Sequence, residues 1–302
     1  MSRHLIALVG PTAVGKTAAA VTLAQQLKTV ILSADSRQFY REMHVGTAKP
    51  TADEQAGIPH YFIDSHSINN PFSAGDYERE ALQLLQQLFP SYPHILLVGG
   101  SGLFVDALCR GLDDLPQPAP GVREYWNQFF QEKGIAALQN RLQEVDPVYF
   151  QQVDIANPQR IIRALEVYES TGVPFSTYRK NQVDARPFST LKLGLTLPRE
   201  ELYDRINRRV LQMMDGGLLQ EVEKLMPYRH LPACQTVGYA ELFAYLEGKT
   251  SLDEAIAKIQ QNTRRYAKRQ MTWFKKDLNT RWFHPEDREG MRQYLREKGI
   301  GL

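Results

Sequence analysis

From Gly10 to Thr17 the chain reads Gly10-Pro11-Thr12-Ala13-Val14-Gly15-Lys16-Thr17, a G-x-x-x-x-G-K-T spacing. The two glycines let the backbone curl so that its N–H groups face one anion, Lys16 adds a charge that reaches the outer phosphates, and the Thr17 hydroxyl is a ligand type for Mg²⁺. The chemistry predicted is the holding of a phosphate or pyrophosphate group. Asp35 follows 19 positions after Lys16, in Asp35-Ser36-Arg37-Gln38. A carboxylate at the end of a strand beside a phosphate loop serves as a general base, as a loop cap, or as an outer partner of Mg²⁺. Ser36 and Gln38 add a hydroxyl and an amide, the groups that read a purine edge.

Further along, Gly99-Gly100-Ser101-Gly102 follows the apolar run His94 to Val98. Proteins of this class that hydrolyse nucleoside triphosphates usually carry a metal-binding aspartate there, so its absence speaks against NTP hydrolysis. Backbone without side chains makes a tight strand-to-helix turn and also lets a bulky polymer come close. A basic stretch lies near the C-terminus, where Lys258 to Lys276 holds seven Lys or Arg residues and no acid. On a helix at ~100° per residue, Arg264, Arg265, Lys268, Arg269, Lys275 and Lys276 fall within roughly 140°, with Ile256, Ile259, Tyr266, Ala267 and Phe274 opposite. Lacking interleaved acids, the face forgoes the i, i+4 pairs of an ordinary solvated helix and suits phosphate backbone.

These groups need elements to hold them. Leu5 to Val9 reads as a strand into the phosphate loop, and Ala20, Leu23, Ala24 and Leu27 as the buried stripe of the helix after it. Val30 to Ala34 is a second strand. Ser73 and Asp76 form a capping box opening a helix with Tyr77, Ala81, Leu84, Leu85 and Leu88 inward, and His94 to Val98 is a third strand. The alternation predicts an α/β fold, a P-loop parallel sheet covered by helices on both faces. Three prolines, Pro116, Pro118 and Pro120, mark a boundary. Helical signals follow, among them Asn157 as N-cap, Pro158 at the first helical position and Gly172 past the end. Leu191 to Leu197 restores a strand, so the helical block reads as a domain inserted into the sheet. The expected division is 1–112 for the first part of the core, 113–187 for the insertion, and 188–302 for the rest of the core. That last part is read as helical after its strand, with Ser251 and Glu254 boxing a long basic helix.

At 302 residues and 43% hydrophobic the chain can bury a large core, and its net charge of +2 does not by itself mark a nucleic-acid binder. No run approaches a membrane span and the first residues lack a secretory pattern, so a cytoplasmic protein without membrane partners is expected. Cys109 and Cys234 are too far apart in sequence for metal-ligand spacing and read as buried thiols.

Together these stretches resemble the tRNA isopentenyltransferase family, the tRNA dimethylallyltransferases. The likeness is carried by Gly10 to Thr17, Ser33 to Tyr40, Gly46-Thr47-Ala48-Lys49-Pro50, Val98 to Leu103, Asn157 to Glu166, Gly238-Tyr239, Thr263 to Gln270, and Thr272-Trp273-Phe274. Arg37, Phe39 and Phe104 depart from the commoner residues at their positions.

The resemblance implies transfer of a dimethylallyl group from dimethylallyl diphosphate to N6 of the adenosine at tRNA position 37, with Mg²⁺ as cofactor. It gives Asp35 the N6 proton, Lys16 and Thr17 the leaving pyrophosphate, and Thr17 the metal. Arg205 and Arg209 would complete the pyrophosphate clamp, a surface ion-pair pattern being the other reading of these two. RNA contacts are implied for Asp35, Ser36, Arg37, Gln38, Ser101, Arg123, Gln159, Arg160, Ile161, Ile162, Arg163, Gln235, Thr236, Val237, Gly238, Tyr239, Lys268, Arg269, Gln270, Thr272 and Trp273. The implied partner is the tRNA anticodon stem-loop, bound by a monomer whose insertion clasps the RNA. Other readings stay open: an adenylate isopentenyltransferase acting on free nucleotide, a small-molecule kinase using the loop for ATP, and a non-catalytic RNA-binding protein.

Overall fold

The computed structural model describes residues 3–179 and 185–301. The chain divides into two compact units, Met1–Arg110 with Ala185–Leu302, and Gly111–Asp184.

The first unit is built on a parallel sheet of six strands: β1 (His4–Val9), β2 (Ile31–Ser33), β3 (His60–Tyr61), β4 (His94–Gly99), β5 (Ser189–Leu195) and β6 (Arg281–Phe283), in the order β3-β2-β4-β1-β5-β6. β1 lies between β4 and β5, with Val9 opposite Gly99 on one side and Gly194 on the other. Successive strand residues point to opposite faces, yet Leu5, Ile6, Ala7, Leu8 and Val9 are all fully buried, so both faces of the sheet are covered. On one face the helix Lys16–Leu27 buries Ala20, Leu23 and Ala24 against Ile6, Leu8 and Leu96; Leu27 is only partly buried.

The helices begin where local chemistry allows. Ser73 and Ser251 each accept an N–H three residues on and are met in return by Asp76 and Glu254, closing both capping boxes. The helix Arg199–Asp215 follows Pro198, and Asn157 caps Pro158–Thr171. The stretch after β5 is not all helical. Arg281–Phe283 adds an edge strand beside β5, with Gly194 opposite Trp282. Three residues are too short for a periodic signal, and only the exposed β5 edge gives them a partner.

The second unit is helical, with Val122–Val145, which bends at Gly134, Pro147–Phe150, Pro158–Thr171 and Phe175–Tyr178. Its core joins Trp126, Leu138, Leu142, Tyr149, Ile161, Ile162 and Leu165. Two buried carboxylates brace it. Asp146 accepts from the Tyr149 and Ser176 backbone N–H groups and from the Ser176 hydroxyl, and Glu166 takes a two-pronged bond from Arg123 at 2.6 and 2.9 Å.

At the end of β4, a Cβ on Gly99 would stand 2.3 Å from the Ala34 carbonyl oxygen. Gly99→Ala should therefore push β4 from the end of β2 and cost roughly 1–3 kcal/mol in urea unfolding. An unchanged midpoint would show that the strand ends have room.

Candidate active site

The phosphate loop leaves β1 and enters the helix Lys16–Leu27 through Gly15, which has φ 102°. That helix has no side-chain N-cap and no acid in its first turn, unlike the boxed helices at Ser73 and Ser251. Its first N–H groups and the positive end of its dipole are thus left to an anion. Lys16 folds back over the loop, its Nζ donating to the carbonyls of Gly10 at 3.0 Å and Pro11 at 2.7 Å. Burial pulls its ammonium down to about 8; nearby Asp35 opposes this and Arg209 adds to it.

Asp35 follows β2, where strand-end geometry predicts it. Its Oδ1 accepts from the Arg37 backbone N–H at 3.0 Å. The Ser36 N–H donates to Ser101 Oγ at 2.9 Å and the Ser101 hydroxyl donates to Ser36 Oγ at 3.1 Å, so the ends of β2 and β4 are pinned together. Arg209, on the helix Arg199–Asp215, reaches Thr12 Oγ1 and the Ala48 carbonyl only at 3.5 Å. Burial holds its guanidinium below the usual range, with Asp35 and Glu54 opposing. A half-buried guanidinium with two long bonds has donors to spare for an anion. Arg205, one turn earlier, pairs with Glu201 at 2.9 Å and also lines the pocket.

Lys16, Thr17, Asp35, Gln38, Thr47, Ala48, Arg205, Arg209 and Tyr266 line one pocket. A second shares Thr12, Asp35, Ala48, Arg209 and Tyr266 with it and has an apolar wall of Ile206, Val210, Met213, Leu218 and Ile259. One end suits a diphosphate and the other an apolar or flat group. The carboxylate borders both.

Some residues at the site have no role assigned by the sequence. Tyr266, expected on the packing side of the basic helix, faces the pocket, and burial, reinforced by the charge of Asp35, pushes its phenol up to about 12. Arg208 also lines the phosphate end. Glu221 takes the backbone N–H groups of His44, Val45 and Gly46 at 2.8, 2.7 and 3.1 Å, and the Tyr239 hydroxyl at 2.5 Å. It thereby holds the Gly46-Thr47-Ala48 turn, whose Thr47 and Ala48 carbonyls accept from Gln38 Nε2 at 3.2 Å. Lys49, next in the same stretch, is buried and bonds the Tyr40 carbonyl and Asp64.

A description of the family "IPPT: IPP transferase" matches residues 38–277. The chain belongs to the IPP transferase family. It is 49% identical over 296 residues to tRNA dimethylallyltransferase 1 of Bacteroides thetaiotaomicron, covering 98% of this chain and 96% of that protein. It is 48% identical to the tRNA dimethylallyltransferase of Cytophaga hutchinsonii, covering 94% of each. Among solved structures, the tRNA isopentenylpyrophosphate transferase of Bacillus halodurans superposes with a TM-score of 0.72 at 38% identity, over 99% of this chain and 96% of that one. A eukaryotic dimethylallyltransferase described as acting on tRNA gives 0.75 at 26% identity, over 90% and 70%.

In this IPP transferase, Asp35, Ser36, Arg37, Thr236, Val237 and Gly238 line one pocket, and Ser101 is hydrogen-bonded to Ser36. Lys268, Arg269 and Thr272 are exposed on the helix Leu252–Phe274, and Gln159 and Arg160 are exposed in the helical unit. The other residues expected to contact RNA make bonds or packing contacts within the protein. Ile161 and Ile162 are core residues, because only one stripe of an amphipathic helix faces out. Arg123 and Arg163 are paired with Glu166. Tyr239 is buried on Glu221, and Trp273 donates to Asp106 at 2.8 Å. Gln235 is exposed and donates to the Arg229 carbonyl. Gln270 is buried. Of the six cations in the basic arc, Arg264 is half-buried and bonds Asn207 at 2.6 Å, and Lys275 and Lys276 lie past the helix end.

The depressed Lys16 ammonium makes anion binding depend on pH. A bound pyrophosphate raises its pKa again, so affinity should be greatest below pH ~8 and fall as pH rises through that value. Calorimetry in buffers of different ionisation heat should show proton uptake by the wild type beyond that of Lys16→Arg, which does not titrate there.

Proposed function

We propose that this chain transfers a dimethylallyl group from dimethylallyl diphosphate to N6 of adenosine 37 in the anticodon loop of tRNA, releasing pyrophosphate. The observation that carries this reading is the pocket itself, where the phosphate loop, Asp35 and Arg209 share one lining in a member of this family. The names of its relatives support the same donor and acceptor.

In the proposed reaction the N6 lone pair forms a bond to the donor's first carbon as its C–O bond breaks, and the electron pair leaves with pyrophosphate. The loop N–H groups, Lys16, Arg205 and Arg209 take up the charge that develops. Asp35 accepts the N6 proton; an exocyclic amine whose lone pair is delocalised into the ring needs such a partner. The apolar wall beyond Asp35 suits the five-carbon tail. The target base must leave its stack to reach this depth.

Thr17 lines the phosphate end, and among the described residues no group of three or more His, Cys, Asp or Glu gathers to hold a metal. These residues fit a Mg²⁺ ligated by Thr17 and mainly by the diphosphate, supplying charge neutralisation to the leaving group. RNA contact is proposed for the exposed Lys268, Arg269 and Thr272, for Ser36, Arg37 and Gln38 at the pocket, and for Gln159 and Arg160. Among the described residues no helix is long and apolar enough to cross a membrane.

The test is incubation with labelled dimethylallyl diphosphate and either tRNA or AMP. Label should pass to tRNA; transfer to AMP alone supports the free-nucleotide enzyme, and no transfer to either refutes the reading. Asp35→Ala should lower kcat by ~10²- to 10⁴-fold with tRNA affinity nearly intact; near wild-type turnover would remove it as the base. Replacing Lys268 and Arg269 with Ala should weaken all tRNAs about equally. It should also shallow the slope of log K against log salt by roughly 1 for each phosphate that is no longer neutralised. An unchanged slope would leave that face merely solvated.

A further inference from the structure

The helix Leu252–Phe274 buries Ala255, Ile259, Ala267 and Phe274, and among them one amide, Gln270, which is 5% exposed. A buried polar side chain destabilises a fold unless its hydrogen bonds are met. Those of Gln270 are met by backbone of two other segments. Its Oε1 accepts the Thr12 N–H of the phosphate loop at 2.8 Å, and its Nε2 donates to the Gly100 carbonyl after β4 at 2.9 Å. The chemistry of the partners fixes the amide's orientation, since an N–H needs the oxygen and a carbonyl needs the nitrogen. The approach is close enough that a Cβ on Gly100 would stand 2.2 Å from Nε2.

We infer that Gln270 is a positioning residue that sets the phosphate loop against the strand-end turn from the helix carrying Lys268 and Arg269. It holds one loop N–H with protein, which leaves the other loop groups preorganised for the diphosphate. Its neighbours Arg269 and Thr272 point to solvent, so one helix both presents cations outward and steadies the donor's loop inward. Gln270 borders the phosphate end of the pocket and acts on the donor through Thr12. This rests on the proposed dimethylallyl transfer.

The experiment uses the full chain with dimethylallyl diphosphate and tRNA, comparing wild type, Gln270→Met and Gln270→Glu. Wild-type transfer must be seen first; without it the functional reading fails, whatever the variants do. Gln270→Met, similar in volume but without the two bonds, should lower kcat/KM for the donor by ~10- to 100-fold, because small misplacements of a binding loop are costly. Its tRNA affinity should stay within about twofold. Gln270→Glu supplies a readout that a packing role would not move. Ionised, it repels the Gly100 carbonyl; protonated, it has the amide's shape and can donate again. Burial raises such a carboxyl, so the ratio of its activity to wild type should climb as pH falls from about 8 to about 6. A Gln270→Met enzyme with normal donor kinetics, one that loses tRNA affinity instead, or a flat Gln270→Glu ratio overturns the assignment.

Discussion

Lys16, Asp35 and Arg209 share one pocket, where burial disfavours the charge of both cations and the Asp35 carboxylate favours it. Two cations side by side in a partly desolvated site are held above their preferred state, and the carboxylate offsets only part of this. The diphosphate of the proposed donor would remove the conflict, since it would bring the negative charge that the pocket lacks. Much of the surrounding architecture keeps these groups close: an uncapped helix N-terminus, glycines at the strand ends, and a helix supplying Arg205 and Arg209 from far along the chain.

The turn at Gly46-Thr47-Ala48 shows how remote parts meet this demand. Glu221 binds three consecutive backbone N–H groups and the buried Tyr239 hydroxyl, and so gives the turn the rigidity of a secondary element without being one. The turn then orients Gln38 and supplies a carbonyl to Arg209. Lys49 serves the same task, its charge buried against Asp64. A basic residue in a stretch shared with a family can thus serve the scaffold and not the ligand.

The helical unit places its charges differently. Glu166 is fully buried and takes both Arg123 and Arg163, so that stretch holds fewer unpaired cations than its sequence suggests. The exposed cations Lys268 and Arg269 meet no such partner in sequence, since no acid interleaves with them. The presence of a buried carboxylate within reach separates the two fates.

The phosphate loop, the carboxylate at a strand end, the parallel sheet and the capping boxes were legible from sequence because each is local: a spacing, a periodicity or a cap works within a few residues. The exposed Lys268 and Arg269 were legible for the same reason. What only the tertiary structure decided involves partners far apart along the chain. The strand Arg281–Phe283 exists because β5 offers an open edge, and Tyr266 lines the pocket beside Asp35 with its hydroxyl bonded to Ser101. Gln270 reads as one more polar residue in a basic helix until Thr12 and Gly100 are brought to its amide. Hydrophobic period tells which side of a helix is buried, but a polar residue on that side is assigned only by the donor or acceptor it meets across the core.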